Sequence, residues 1–140
     1  MMQDAVGLSR GVVVQPTAHG VDNSVSLDAI ARSGGRLKGV ANIDRTLDDD
    51  ALDALKAGGI VGARFNLMSD RAGSTEDIER ELPRLERLGW SLDLHLDIEH
   101  LVAHADFIRN LPVPVVIDHM ARAPTRPPAR ISPTWPSCWT

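Results

Sequence analysis

The sequence predicts an α/β fold in which short parallel strands alternate with helices. Five short, mostly apolar runs rich in β-branched residues are spread along the chain, as expected for strands. The segments between them place apolar residues three and four positions apart, as on one face of a helix. Successive runs begin at positions 11, 37, 60, 91 and 113, and these distances leave room for a crossover rather than a hairpin. The strands should therefore run parallel.

The five predicted strands are made largely of Val, Ile, Leu and small residues. They span residues 11–15, 37–43, 60–66, 91–96 and 113–117. Strands of a parallel sheet read as near-continuous apolar runs because other elements cover both faces of the sheet. Any strand face left uncovered would therefore expose apolar surface to water, at a cost of about 25 cal/mol per Å².

Four helices are predicted between the strands, and the first two carry clear start and stop signals. The predicted spans are residues 24–33, 48–57, 75–88 and about 98–110. Asn23 or Ser24 can cap the first helix, because Asn and Ser are preferred N-cap residues. Three aspartates at positions 48–50 complement the positive end of the second helix, and a Gly-Gly pair at 58–59 ends it.

The third predicted helix has capping signals at both ends and a proline inside it. Ser74 or Thr75 opens this helix, acidic residues fill its first turn, and Gly89 follows its last residue. Pro83 falls within the helical pattern and lacks the backbone N–H that a helix interior uses. We therefore expect a kink or a broken turn at Pro83.

Composition excludes several classes of function. The chain has 140 residues, 43% of them hydrophobic, and a formal charge of −4 without a sustained block of either sign, which argues against nucleic acid and acidic membranes as partners. No apolar run approaches the roughly 20 residues of a membrane span, and no signal peptide begins the sequence. A cytoplasmic location is therefore expected. The single cysteine, Cys138, excludes an intrachain disulfide and a cysteine-built zinc site.

The composition of the sequence changes near its end, and this change predicts a domain at residues 1–122 and a tail at residues 123–140. The last 20 residues contain five of the nine prolines, the only cysteine and no acidic residue. Neither strand nor helix periodicity continues there. Two explanations remain open: a disordered Pro-rich terminus, or an out-of-frame translation of a segment that encodes an amphipathic helix in a shifted frame.

Polar side chains collect where the predicted strands end, which is where parallel α/β folds bind their ligands. Thr17 and His19 follow the first strand, and His19 has either a site role or simple solvation in a Gly-flanked loop. Arg64 and Asn66 share one face of the third strand because strand side chains alternate. An arginine within an apolar run must be paired or face a ligand, so Arg64 is a candidate anion-binding residue.

Two histidines end neighbouring predicted strands. Taken singly, His95 and His119 are each expected to be hydrogen-bonded structural residues. As a pair, they are as good candidates for ligands or acid–base groups as for a structural role. Asp118 should point to the opposite face from His119 and make structural hydrogen bonds. His100 and His104 have metal-compatible spacing, but they lie on an exterior helix and are expected to be exposed.

Three common catalytic and cofactor motifs are missing from the sequence. The segment VQPTAHG after the first strand has its first glycine too late for a dinucleotide fingerprint or a P-loop. No G-x-S-x-G nucleophile elbow occurs either. These observations argue against a nucleotide-binding open sheet and against a serine hydrolase of that type.

Five segments, in order, carry a resemblance to a known family: VVVQPTAHGVDNSVSLDAI, LKGVANID, GGIVGARFNLM, LGWSLDLHLD and LPVPVVIDHMAR. Together they resemble the amidohydrolase-related TIM-barrel hydrolases, in the branch of the 2-pyrone-4,6-dicarboxylate lactonases. The likeness covers about residues 11–122, and RFN and VIDHM are its most specific parts. It implies a partial (β/α)8 TIM barrel with about strands two to six, and a hydrolase for a lactone or related cyclic carboxylate ester.

The resemblance also implies roles for individual residues. His119 matches the histidine of strand six that polarises the scissile carbonyl or binds a metal. His95 lies at the strand-five position where some members place a metal-ligating histidine. Asp93 departs from the apolar pattern of that strand. Four residues match positions that hold the substrate carboxylate or line the pocket: Arg64, Asn66, Thr17 and His19.

The resemblance further implies that parts of the barrel lie outside this chain. The family's first strand carries a His-x-His pair and its eighth an aspartate, and neither is present, while a whole barrel takes about 250 residues. We therefore expect impaired hydrolysis of a small carboxylate or lactone substrate, and either no metal or one zinc or manganese ion. The alternative is a catalytically inactive α/β fragment that only binds or self-associates through its exposed sheet edges.

Overall fold

The structure, a computed structural model, describes residues 7–68 and 73–124 and contains one curled parallel sheet. Its five strands are β1 (Gly11–Val14), β2 (Leu37–Asn42), β3 (Ile60–Asn66), β4 (Ser91–His95) and β5 (Val115–Ile117). They lie in the order β1-β2-β3-β4-β5, and every neighbouring pair is parallel. The sheet forms half of a barrel, which confirms the predicted fold class. The predicted tail lies outside the described residues from position 125 onward.

Five helices and two short 3₁₀ turns connect the described strands. The helices are α1 (Ser24–Arg32), α2 (Asp49–Ala57), α3 (Thr75–Leu88), α4 (Ile98–Ala103) and α5 (Ala105–Arg109), and the turns are Thr17–His19 and Asp118–Arg122. The single helix predicted for residues 98–110 is wrong: at His104 the backbone leaves the α region (φ −104°, ψ 15°) and divides it into α4 and α5. None of the helices described is long and apolar enough to cross a membrane.

The helix caps follow the sequence signals in α2 and α3. The Asp48 side chain accepts a hydrogen bond from the Ala51 amide at the start of α2. Ser74 and Asp77 form a reciprocal capping box at the start of α3. Helix α3 then continues through Pro83 without the predicted break. Pro83 lies toward the outer face of the helix, where water can satisfy the carbonyl that loses its donor.

Asn23 occupies the N-cap position of α1 but uses its side chain elsewhere. Its Nδ2 donates to the carbonyls of Val21 and Asn42, and its Oδ1 accepts from the Asn42 amide. The backbone amide of Ser24 instead donates to Asp22 Oδ1. The buried Asn23 side chain therefore attaches the loop after β1 to the end of β2, rather than capping the helix as predicted.

The hydrophobic core lies between the sheet and its helices. Alternate residues of the central strands, including Ala41, Ala63 and Leu92, join the buried side chains of the helices in one cluster. Val12 and Val116 on the outer strands are 58% and 49% exposed, so apolar side chains on one face of the sheet lie uncovered. The curled sheet thus keeps one face open, and the polar side chains of the strand ends are found on that face.

Replacing Asn23 with Ala should destabilise the fold by about 2 kcal/mol or more, because the buried amide and carbonyl of Asn42 lose their partner. Urea unfolding measures this change. Asn110→Ala is a matched control, since exposed Asn110 makes one side-chain hydrogen bond, to the Asp106 carbonyl, and should cost less than about 1 kcal/mol. Equal costs for the two variants would contradict the anchoring role of Asn23.

Candidate active site

The register of the sheet places polar residues of neighbouring strands side by side. Asn42 of β2 pairs with Arg64 of β3, and Arg64 pairs in turn with Asp93 of β4. Two residues further along the strands, Asn66 pairs with His95. Side chains of paired residues point to the same side of a parallel sheet. These residues therefore form a polar patch at the carboxyl end of the sheet.

Arg64 connects segments from four of the five strands. Its Nη2 donates to Asp118 Oδ2 at 2.5 Å, and its Nη1 makes a long contact of 3.5 Å with the Gln15 carbonyl after β1. Its Nε lies 3.8 Å from Asp93 Oδ1 on β4. The side chain is only 11% exposed, so these acceptors compensate a largely buried charge. The sequence prediction that Arg64 must be paired or face a ligand is met here by pairing.

Asp93 is the most buried acid of the patch. Its side chain is 7% exposed, and Oδ1 accepts no hydrogen bond from the described residues. Burial raises the pKa of Asp93, and the negative charge of Asp118 adds to this effect, while the Arg64 charge opposes it. The break that Asp93 makes in the apolar pattern of its strand therefore places a carboxyl group against the Arg64 guanidinium.

The turn after β5 has an unusual backbone. His119, Met120, Ala121 and Arg122 all have positive φ values, between 49° and 53°, which cost non-glycine residues roughly 1–2 kcal/mol each. This left-handed turn brings His119 Nε2 to 3.5 Å from Asp118 Oδ2. The prediction that Asp118 and His119 face opposite sides is therefore wrong, because strand alternation ends at Ile117.

His95 and His119 are brought together at the end of β4 and in the turn after β5. Their ring centroids are 5.8 Å apart with the planes at 78°, an edge-on arrangement. Arg122 Nη2 lies 3.2 Å from His95 Nε2. Burial lowers the pKa of His95, and the charges of Arg64 and Arg122 lower it further. His95 is therefore held in its neutral form at neutral pH.

The two histidines do not fit a zinc or manganese site. No group of three or more His, Cys, Asp or Glu side chains placed to hold a metal occurs at residues 7–68 and 73–124. His95 Nε2 already faces the Arg122 guanidinium, and two guanidinium groups nearby oppose a further cation. A tightly held zinc ion needs at least three protein ligands, so no step is assigned to a metal here.

A small cleft opens beside Arg64 between the ends of β1, β2 and β3. Its volume is about 150 Å³, and its lining includes Thr17, Asn42, Arg64 and Asn66 but not His19. Asn66 also holds the next loop, because its Oδ1 accepts from the Met68 amide at 2.9 Å. Of the four predicted substrate contacts, three therefore line one cleft, while exposed His19 lies in the 3₁₀ turn beyond it.

His100 and His104 take no part in this patch. His100 Nδ1 lies 2.6 Å from Oδ1 of Asp97, the residue that caps α4. Both histidines are half-buried and line a separate cleft near the start of α3. Both are half-buried rather than exposed as predicted, because they line this cleft together with residues at the start of α3.

Three residues take part in the site beyond the roles that the sequence predicted for them. Asn42 donates to the carbonyls of Pro16 and Gly20 and so shapes the cleft. Arg122 reaches back to His95, and Asp118 contacts both Arg64 and His119. Only Asn42 carried a usable signal, as a polar residue at a strand end. The contacts of Arg122 with His95 and of Asp118 with His119 depend on a left-handed turn, and no glycine in the sequence predicts that turn.

The chain is similar to known proteins over most of its length. The family model described as Amidohydrolase matches residues 1–140. The chain belongs to the amidohydrolase family. This amidohydrolase chain is 37% identical over 123 residues to the 2-pyrone-4,6-dicarboxylate hydrolase of Comamonas testosteroni, covering 86% of the chain and 40% of that relative. It is 34% identical over 127 residues to the 4-sulfomuconolactone hydrolase of Rhizobium radiobacter, covering 89% of the chain and 42% of that relative.

A solved structure of an amidohydrolase relative has the same fold. The crystal structure of a probable 2-pyrone-4,6-dicarboxylic acid hydrolase from Acinetobacter baumannii, with citric acid bound, superposes with a TM-score of 0.76 at 35% identity. The match covers 86% of this chain and 46% of that one. The chain thus spans less than half the length of the relatives it matches.

Asp93→Asn should stabilise the protein at neutral pH and lose this advantage in acid. The raised pKa of Asp93 means that the folded state keeps its proton to a higher pH than the unfolded chain does. The stability that protonated Asp93 contributes to the parent is therefore lost as the pH rises from the ordinary pKa of 3.8 through the raised pKa. An amide at position 93 carries no charge at either pH, so the variant avoids this loss.

Urea unfolding at several pH values between 4 and 8 measures this advantage. Asp106→Asn, at a 94% exposed acid, is the control and should show no such trend. A variant at position 93 that is less stable than the parent at neutral pH would contradict the assignment, since the Arg64 contact would then outweigh burial.

Proposed function

We propose that the chain is part of a hydrolase that opens a lactone ring bearing a carboxylate or another anionic group. The observation that carries this proposal is the guanidinium of Arg64, held at the carboxyl end of the sheet on the wall of a cleft. The names of two relatives support it, because both are hydrolases of ring compounds with acidic substituents, a dicarboxylate and a sulfo compound. A relative's structure with citric acid, a tricarboxylate, agrees with an anion site in this fold.

Arg64 is the proposed contact for the anionic group. Its Nη2 is engaged by Asp118, but its Nη1 makes only the long 3.5 Å contact with a carbonyl. Nη1 is therefore the more weakly engaged of the two terminal nitrogens, and it is the proposed donor to a substrate oxygen. The planar guanidinium suits a carboxylate better than an ammonium does, because it offers two parallel N–H donors.

Thr17 and Asn66 are the proposed neutral contacts of the substrate. Both line the cleft next to Arg64, and the hydroxyl and amide groups can donate to or accept from ring oxygens. His19 is proposed as a contact from the exposed turn beyond the cleft, which requires a substrate long enough to leave the 150 Å³ space.

His119 is the proposed catalytic residue. Its side chain is 64% exposed, so it can reach a substrate, and an imidazole can donate a proton to developing charge. In the reaction a water oxygen bonds to the lactone carbonyl carbon and the bond from that carbon to the ring oxygen breaks, while the proton that the water loses goes to the ring oxygen. His119 polarises the carbonyl oxygen during the attack.

A second candidate function is self-association without catalysis. The outer strands β1 and β5 each have one unpaired backbone edge among the described residues, and each exposes a valine. Unpaired parallel edges with apolar side chains recruit further strands. We propose that the isolated chain pairs with other copies along these edges.

Arg64→Lys should weaken binding of 2-pyrone-4,6-dicarboxylate about 10-fold to 100-fold, because a charged hydrogen bond contributes about 1.5–3 kcal/mol. Calorimetric titration of the purified chain measures this change, and a hydrolysis assay with the same compound and 4-sulfomuconolactone tests turnover. Arg109→Lys, at a surface arginine paired with Asp106, should leave binding unchanged. A parent chain that binds neither compound would refute the proposed anion site.

Val12→Lys combined with Val116→Lys should shift the chain from oligomers to a monomer of 15.2 kDa, because edge lysines oppose strand pairing. Light scattering at micromolar concentration follows the mass. Val102→Lys, on the 62% exposed valine of α4, is the control and should leave the oligomers intact. A parent chain that is already a monodisperse monomer would refute edge pairing.

A further inference from the structure

Asp118 places one carboxylate oxygen between two functional groups. Its Oδ2 accepts from Arg64 Nη2 at 2.5 Å and lies 3.5 Å from His119 Nε2. The Asp118 side chain is 18% exposed, whereas that of His119 is 64% exposed. A largely buried acid thus joins the guanidinium on the sheet to an imidazole at the surface.

We infer that Asp118 is a positioning residue that holds His119 through Nε2, so that Nδ1 is the nitrogen presented to the substrate. This inference rests on the proposed function of His119 in lactone hydrolysis. It adds the identity of the nitrogen that acts and of the group that selects it. Asp118 itself does not touch the substrate in this account.

The Asp118 oxygen Oδ2, which Arg64 and His119 share, can act only as a hydrogen-bond acceptor. A carboxylate only accepts hydrogen bonds, so Nε2 must carry a proton to be attracted to Oδ2. The 3.5 Å separation is an ion-pair distance rather than a hydrogen bond, and such contacts shorten when a substrate binds. Arg64 keeps Oδ2 in place meanwhile, because its Nη2 holds the same atom.

The turn that follows Asp118 has a strained backbone. Four successive non-glycine residues from His119 to Arg122 have positive φ values, and strain of this kind persists only where surrounding contacts enforce it. An extended continuation of β5 would send Asp118 and His119 to opposite faces. The left-handed turn instead brings both side chains to one side, which is the condition for the contact with Oδ2.

The described neighbours of the His119 ring contact one side of it and leave Nδ1 free. The ring of His95 meets that of His119 edge-on at 78°, and Asp118 lies at Nε2. Nδ1 of His119 has no hydrogen-bond partner in the part of the chain that the structure describes. With Nε2 turned toward the acid, Nδ1 is left free. When His119 is protonated, the proton on Nδ1 is therefore the one that can be donated to the carbonyl oxygen of a lactone.

Nitrogen-15 NMR of the histidine side chains tests this inference without any need for turnover. In the parent chain, neutral His119 should be the Nε2-protonated tautomer. In Asp118→Ala the oxygen shared by Arg64 and His119 is absent, so the fraction of the Nε2-protonated form should fall toward the tautomer mixture of a free imidazole. Asp106→Asn, on exposed α5, should leave the His119 signals unchanged.

The outcomes separate this inference from the proposed function. An Nδ1-protonated neutral His119 in the parent chain, or an unchanged tautomer ratio in Asp118→Ala, would overturn the inference, and the parent spectrum decides if the variant does not fold. Where the parent hydrolyses a lactone, kcat should fall about 100-fold or more in Asp118→Ala, a larger change than that in KM. A parent without turnover but with the Nε2 tautomer refutes only the proposed function.

Discussion

A buried guanidinium cannot be left without counter-charges, and the end of this half-barrel is organised around that constraint. Arg64 is 11% exposed and contacts the chain after β1, β4 and the turn after β5. Removing an arginine charge from water costs several kcal/mol unless acceptors replace the solvent. Asp118 and the Gln15 carbonyl are those acceptors, while the Asp93 carboxyl lies 3.8 Å from Nε without accepting a hydrogen bond from it. One side chain thus ties together segments far apart in the sequence.

The same constraint links folding to chemistry. Asp118 compensates Arg64 and lies close to His119, so a contact that stabilises the fold also orients the proposed catalytic group. The left-handed turn from His119 to Arg122 costs backbone energy, and the Arg64–Asp118 ion pair holds the residue before it to the sheet. Arg122 Nη2 in turn lies 3.2 Å from His95 Nε2, so the end of the turn also contacts β4.

Much of the fold was predictable because it depends on local signals. The strand runs, the aspartates that begin α2 and the Ser74 start of α3 appear directly in the sequence and in the structure. The patch at the strand ends followed from parallel topology, which brings carboxyl ends to one edge. Arg64 was predicted to need a partner because burial of a charge is costly anywhere in a protein.

The parts that could not be predicted depend on tertiary contacts. Asn23 looks like an ordinary helix cap, yet its amide bonds to β2. The orientation of Asp118 and His119 depends on a left-handed turn built from residues that rarely adopt one. The break at His104 also had no local signal, since it depends on which elements pack against that segment.

A double-mutant cycle between Arg64 and Asp118 tests the central claim most directly. The free energies of unfolding of the parent, Arg64→Met, Asp118→Asn and the double variant are measured in urea at neutral pH. If the ion pair organises this end of the sheet, the double variant should be more stable than the sum of the single costs predicts, with a coupling energy of about 1–3 kcal/mol. Costs that add to within about 0.5 kcal/mol would contradict the account.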